Sequence, residues 1–480
     1  MILPEHSSIK KEEKAMKWTS LKAGILFTFI CILIILKITV NPSTKRVSIT
    51  KDLIVSDFQG FGSEFNPFIY APSNKEFTKV AGTQVLEDLV EKLRPQIVRL
   101  FIYLDWWRNH DTEHLNSLER TLELTKRVGA DVHLTVAGGW NSPLYEEAAW
   151  QITAIETAVA LESLIVQKEF TNIKYINIGN EPNRTQQRPE THVSLHLALD
   201  KALRDFGLRE KVNIMAGDIT AEGRETWLPY ITEKFGHVLD SYSIHLYWQY
   251  TDKQDYIKKL SGLRNILAKA PASAQKPMLI MEYGNRGRME PGMSAGPETG
   301  FDLEGVHITE SPIAALDLAG FMIRALKHGI AGMSKWEMWD GHYTSTDPNG
   351  LIHYGLIGII DGQWQPKPAY YIYSLFTRTT RKGWEVRDVT TSRNSDLIAV
   401  AMHGDDEWTV FILNEGSKRE KVTVQGLPKT LDMREYSFSL ISPNRAGEQS
   451  TWRWGEDSPF TYEIPPRTLT VLTSLEIENF

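Results

Sequence analysis

The chain has 480 residues, of which 42% are hydrophobic and 24% charged, with a formal net charge of −7 at pH 7. This is an ordinary globular composition, long enough for a barrel-sized domain of about 250 to 300 residues plus a smaller one. The acidic balance, with no basic block able to neutralise a phosphate backbone, argues against a nucleic-acid partner.

The first element in chain order is apolar. Residues 23–36 carry no charge, Lys10, Lys11, Lys14, Lys17 and Lys22 precede them, and Lys37 follows. If Lys37 snorkels outward, 21–40 approaches the roughly 20 residues that a bilayer span needs. No small-x-small cleavage site follows, so the segment reads as an uncleaved signal anchor, although a start at Met16 would give an ordinary secretory signal. Either way the remainder is exported. The expectation is a single-pass protein of the cell membrane with its main domain outside, or a secreted one if the segment is cut. The one cysteine, Cys31, lies inside the apolar run, so the exported part has no disulfide and depends on its core.

From about residue 56 to 380, β-rich apolar runs alternate with segments of helical period. Candidate strands lie at 58–65, 97–103, 131–137, 174–178, 212–217, 241–245, 278–281 and 333–336. Between them, 113–128, 150–170, 193–206, 256–269, 313–329 and 367–376 carry apolar residues at three and four spacing. Eight strands with interleaved helices predict a closed (β/α)8 TIM barrel. The doubly wound alternative lacks a phosphate loop, since Gly60-Phe61-Gly62 has neither the third glycine nor a helix start. After residue 382 the pattern becomes short alternating strands at 384–389, 397–403, 408–414, 421–424, 435–441 and 469–473, which reads as an antiparallel β-sandwich. The expected organisation is a basic tail over 1–22, a signal anchor over 23–40, a linker and leading strand over 41–55, the barrel over 56–380 and the sandwich over 381–480.

Two of the barrel strands end on a carboxylate. Asn180-Glu181-Pro182 follows the run Tyr175-Ile176-Asn177-Ile178-Gly179, and Glu282-Tyr283-Gly284 follows Pro277-Met278-Leu279-Ile280-Met281. In a parallel barrel the chemistry gathers at the C-terminal strand ends, so the two can face each other across a cleft. One carboxyl group that protonates a leaving oxygen and another that attacks, or activates water, are what glycosidic cleavage requires. Either glutamate alone is as readily a polar residue where a strand meets solvent. Glu64, Asp105, Glu337 and Asp340 are rivals near strand ends.

Arg99, inside Ile97-Val98-Arg99-Leu100, is a charge in an apolar strand and needs an anionic partner, for which Glu282 is a natural choice. Asn180 can donate to a sugar hydroxyl, Tyr247 to the nucleophile, and His245 can orient either carboxylate. Trp106, Trp107, Trp140, Trp248, Trp336 and Trp339 fall at predicted strand exits, where flat rings suit pyranose faces. Trp336 is the preferred floor of the subsite before the scissile bond, with Trp339 as the competing register and Trp140 as a further wall. His192 and His196 have zinc-ligand spacing without the metalloprotease glutamate or a third ligand, and read as surface and packing histidines. Asp347-Pro348-Asn349-Gly350 is shorter than a calcium loop and reads as a turn. No metal or other cofactor is implied.

Asn180-Glu181-Pro182 on a fourth strand, Glu282 ending a seventh, His245-Leu246-Tyr247 ending a sixth, Arg99 on a second and Trp336 on an eighth resemble the retaining barrel glycoside hydrolases of clan A, to which families 5, 30 and 39 belong. The resemblance covers roughly residues 56–380. It implies that Glu181 is the acid/base, that Glu282 is the nucleophile, that Asn180 contacts the hydroxyl beside the reacting carbon, and that the bond cleaved in an oligo- or polysaccharide is a β-linked O-glycoside. The competing expectations are a noncatalytic carbohydrate-binding or wall-associated barrel and a transglycosylase using the same residues.

Overall fold

The computed structural model describes residues 44–76, 82–137, 149–184, 188–287, 300–341, 352–428, 431–453 and 460–477. The expected anchor over 23–40 and the Asp347–Gly350 turn lie outside them, and no helix among the described residues is long and apolar enough to cross a membrane.

The chain enters through β1 (Lys45–Val55) and then forms β2 (Gly60–Phe65), β3 (Ile97–Ile102), β4 (Asp131–Val136), β5 (Ile173–Ile178), β6 (Asn213–Thr220), β7 (Ser241–Gln249), β8 (Met278–Arg286) and β9 (Ile330–Lys335). Strands β2 to β9 close a barrel in chain order, with β9 pairing parallel to β2. The expected TIM barrel is therefore present. Its strands read as continuous apolar runs because both faces are covered: every residue of Ile97–Ile102 is buried.

The surrounding helices start where the sequence supplies caps. Asp111 accepts from the His114 amide to open Thr112–Arg127, Asp252 accepts from Asp255 to open Lys253–Lys269, and Ser311 precedes a proline at the start of Pro312–Lys327. Among the described residues, three helices fall outside the expected segments, one of them the single turn Asp105–Arg108. Thr83–Leu93 buries only Leu86, Val90 and Leu93, a thin apolar stripe, beside Glu87, and Arg224–Lys234 carries Pro229, which reads as a breaker in sequence.

A two-stranded ribbon, β10 (Ile357–Ile360) and β11 (Gln363–Pro366), follows β9, and the helix Pro368–Arg378 completes the barrel. Beyond it come β12 (Glu385–Thr391), β13 (Leu397–Gly404), β14 (Glu407–Asn414), β15 (Glu420–Gln425), β16 (Asp432–Ser439), β17 (Ser442–Arg453), β18 (Phe460–Ile464) and β19 (Thr468–Thr473). They form one hydrogen-bonded sheet of nine strands, and the ninth is β1, set between β12 and β15. The expected two-layer sandwich is thus a single sheet by its hydrogen bonds, and the leading strand is part of it. Alternation along β14 explains its two faces: Val410 and Ile412 join Val47, Val424 and Ile464 in a small core, while Phe411 and Leu413 join the barrel's core. Phe411 stacks on Phe376 of the last barrel helix with ring centroids 4.2 Å apart.

Candidate active site

The barrel's C-terminal mouth gathers charge around Arg99. This β3 side chain is fully buried, and its guanidinium is divided among five acceptors, Nε donating to Thr135 Oγ1 at 3.1 Å. Nη1 donates to Glu64 on β2 at 2.9 Å and to Glu282 on β8 at 2.8 Å, while Nη2 donates to Asn180 Oδ1 at 2.8 Å and to Asp218 on β6 at 2.9 Å. One cation thereby faces three buried carboxyl groups, an arrangement that in a low-dielectric interior fixes every member. Asp218 is held further by Asn177 at 3.0 Å and Thr135 at 3.1 Å.

The backbone is bent to aim these groups. Gly179 has φ +105° and Glu181 φ +47°, so the latter leaves β5 in a left-handed conformation unusual for a side-chain-bearing residue. Gly217 has φ +125°, and a Cβ there would sit 2.1 Å from the Ser243 carbonyl oxygen, so only glycine lets β6 kink before Asp218. The β6–β7 register shifts at the same place. It shifts again between β7 and β8 at His245, opposite Glu282.

Glu181, Glu282 and His245 converge. One oxygen of each carboxylate and one ring nitrogen of the histidine lie within 4.8 Å of one another. His245 Nδ1 is 3.3 Å from Glu181 Oε1 and 3.4 Å from Glu282 Oε2, and Nε2 is 3.6 Å from Asp218. Burial lowers the imidazole's proton affinity, but Glu282 and its other acidic neighbours outweigh this and push its pKa up to about 10. Burial likewise raises Glu181, yet His245 and Arg184, at 3.0 Å, hold its carboxyl well below the usual range. Tyr247 donates its hydroxyl to Glu282 at 2.8 Å. Burial pushes the Glu64 carboxyl up, against the opposing charge of Arg99. The two carboxylates and the imidazole have the donor types and spacing for a divalent cation, but His245 would first have to give up a tightly held proton.

The structure therefore brings Arg99, Asn180, Glu181, His245, Tyr247 and Glu282 to one place. Trp336 stands at its edge, half-buried, its amide donating to the Tyr283 carbonyl at 3.0 Å. Trp339 does not reach the cleft. It is 1% exposed and packs on Phe65 with centroids 4.7 Å apart, because three residues beyond Trp336 the chain has turned back into the core. Trp140 lies outside the described residues. Trp106 and Trp248 are core residues, the latter stacked on Phe321.

Among the rivals, Asp105 is exposed beside Arg108, and Asp340 is buried against Lys367 at 2.8 Å. Glu64 belongs to the Arg99 cluster, and Glu337 is fully buried. His192 and His196 are not on the surface: both are fully buried, His192 Nε2 accepting from the Gly217 amide and His196 Nε2 from that of Ile178. Asp218 was missed. Its signal was available, since a carboxylate inside the apolar strand Asn213–Thr220 poses the same question as Arg99 inside β3.

No protein-family model and no curated protein matches the sequence. Solved structures do match. A GH30 endoxylanase from Clostridium papyrosolvens C71 is similar at a TM-score of 0.60 and 15% identity, covering 90% of this chain and 99% of its own. A GH51 alpha-L-arabinofuranosidase from Thermotoga petrophila RKU-1 is similar at 0.64 and 12% identity, covering 90% and 100%. An endo-beta1,6-glucanase is similar at 0.62 and 13% identity, covering 89% and 93%. At these identities the likeness is one of fold: this chain is built as those glycoside hydrolases are, barrel and appended sheet together.

Proposed function

We propose that this protein is a glycoside hydrolase that cleaves β-linked O-glycosidic bonds with retention of configuration, Glu282 serving as nucleophile and Glu181 as acid/base. The observation that carries this is the convergence of the two carboxylates within 4.8 Å at the mouth of the barrel. Retaining enzymes hold their carboxyl groups about 5 Å apart, and inverting ones leave roughly 6.5 to 9.5 Å for a water.

Each neighbour has a task in this scheme. Arg99 and the Tyr247 hydroxyl hold Glu282 as an aligned anion for attack on the anomeric carbon. Glu181, held ionised by His245 and Arg184, needs a proton before it can serve as the acid. His245 Nδ1 holds one 3.3 Å away, and a bound sugar that displaces Arg184 and excludes water shifts the balance toward Glu181. After the leaving group departs, Glu181 deprotonates the water that releases the glycosyl intermediate. The lysine-flanked apolar segment over 23–40 supports export, with the barrel outside the cell.

The test is turnover of activated aryl β-glycosides by the full chain and by Glu282→Gly, with and without azide. We expect the variant to lose at least about 1,000-fold in kcat and azide to restore turnover as a glycosyl azide of inverted configuration. Undiminished activity in Glu282→Gly would remove it from the nucleophile's role.

A further inference from the structure

We infer that the substrate carries an anionic group, a carboxylate or a sulfate on the sugar ring, and that Arg286 selects it; this rests on the glycosidase reading of the same site. Alternate residues of a strand share a face, so Glu282, Gly284 and Arg286 on β8 point to the same side. Tyr247 pairs with Gly284 across the β7–β8 register, and the missing side chain leaves room for its ring. Arg286 folds over that ring, its guanidinium carbon 4.6 Å from the centroid, while the hydroxyl at the ring's far end donates to Glu282. A permanent cation therefore lies along the same tyrosine that holds the nucleophile.

The other arginines of the site are committed. Arg99 is divided among Glu64, Glu282 and Asp218, and Arg184 is paired with Glu181. Arg286 is half-buried, its Nε has no hydrogen-bond acceptor, and no carboxylate among the described residues lies within ion-pair distance. A half-desolvated guanidinium without an anion is costly, and stacking on tyrosine recovers only part of that cost. Carboxylate and sulfate oxygens match the planar fork, and an anion arriving with the sugar would complete it. A neutral pyranose offers only hydroxyls to the same donors, so charge on the ring is what the geometry rewards.

The experiment separates selectivity from catalysis. Binding of glucuronic acid, glucose 6-sulfate and glucose to the full-length Glu282→Gln protein is measured by calorimetry at low and high salt. The expected result is that one anionic sugar binds about tenfold or more tighter than glucose, that salt erodes the advantage, that Arg286→Ala in the same background abolishes it and that Arg286→Lys keeps part of it. Which of the two anionic sugars responds distinguishes carboxylate from sulfate. Equal affinity for glucose, no binding of either anion, or an advantage that survives Arg286→Ala overturns the inference. Parallel turnover of aryl β-glucuronide and β-glucoside by the unmodified protein keeps the two readings apart. Glucoside-only hydrolysis overturns the inference and leaves the glycosidase standing. Anion-selective binding with no hydrolysis of either aryl glycoside leaves Arg286 as the contact for an anionic sugar and counts against the catalytic reading.

Discussion

Arg99 is the residue on which the site turns. Its guanidinium satisfies Glu282, Asp218, Glu64 and the oxygen of Asn180 at once, and no other side chain has enough donors in a fixed plane. A lysine would keep the charge but could contact only some of these groups. Arg99→Lys is accordingly expected to lower kcat by on the order of 100-fold while the protein remains folded, checked by steady-state rates beside a thermal unfolding curve. An unchanged kcat would mean that the cluster holds the barrel together and does no more. Sequence made Arg99 visible as a charge inside a strand that should be apolar, and Asn180, Glu181 and Glu282 as polar residues where apolar runs end. Asp218 breaks the same rule as Arg99, but Gly217 before it resembled a strand end, and only the kinked backbone returns the carboxylate to the centre. Trp339 misled for the opposite reason, since nothing in a tryptophan's identity says whether its ring faces a cleft or the core.

At the scale of elements, the strand ends are shaped by two devices that can be tested separately. The first is the glycine kink in β6. Gly217→Ala would force a side chain into φ +125° and against the Ser243 carbonyl, so it should cost at least about 2 kcal/mol and displace Asp218. Urea unfolding reads the first effect, and a matching loss of kcat reads the second. The other device joins the helix Pro312–Lys327 to β7 and β8 through Asp317, whose Oδ2 accepts from Trp248 at 2.8 Å and Asn285 at 3.2 Å. Burial pushes Asp317 up from 3.8 to about 7, with Trp248 and Asn285 pulling the other way. The folded chain therefore keeps a proton that the unfolded chain releases. Its contribution to stability is complete below pH 3.8 and is lost as pH rises through about 7. Asp317→Asn should flatten the unfolding midpoint across that window, and a pH profile parallel to the unsubstituted protein's would refute this role.

The whole molecule is two structures sewn together by the chain's own ends. β1 precedes the barrel in sequence, yet it lies within the C-terminal sheet, antiparallel to β12 and parallel to β15, with Val47 in that sheet's core. Deleting residues 45–55 would part β12 from β15 and open an internal edge. The unfolding midpoint should fall by about 10 °C or the product should aggregate, as a thermal scan against the intact chain will show. An unchanged midpoint would mean that β1 merely decorates the sheet. The pairing was not legible because it joins residues more than 300 positions apart, and a lone alternating strand carries no mark of its partner. The eight barrel strands were legible because each is a local apolar run followed by its helix.

What the sequence determined by itself is thus the barrel, the order of its strands and the two glutamates at their ends, all written in periodicity and in isolated polar residues within apolar runs. Only the tertiary structure decided which acidic residues share Arg99, that Trp339 packs in the core, and where β1 belongs. Those outcomes depend on which side chains meet across strands distant in sequence, and such meetings follow from the closed barrel's geometry, which no local pattern records.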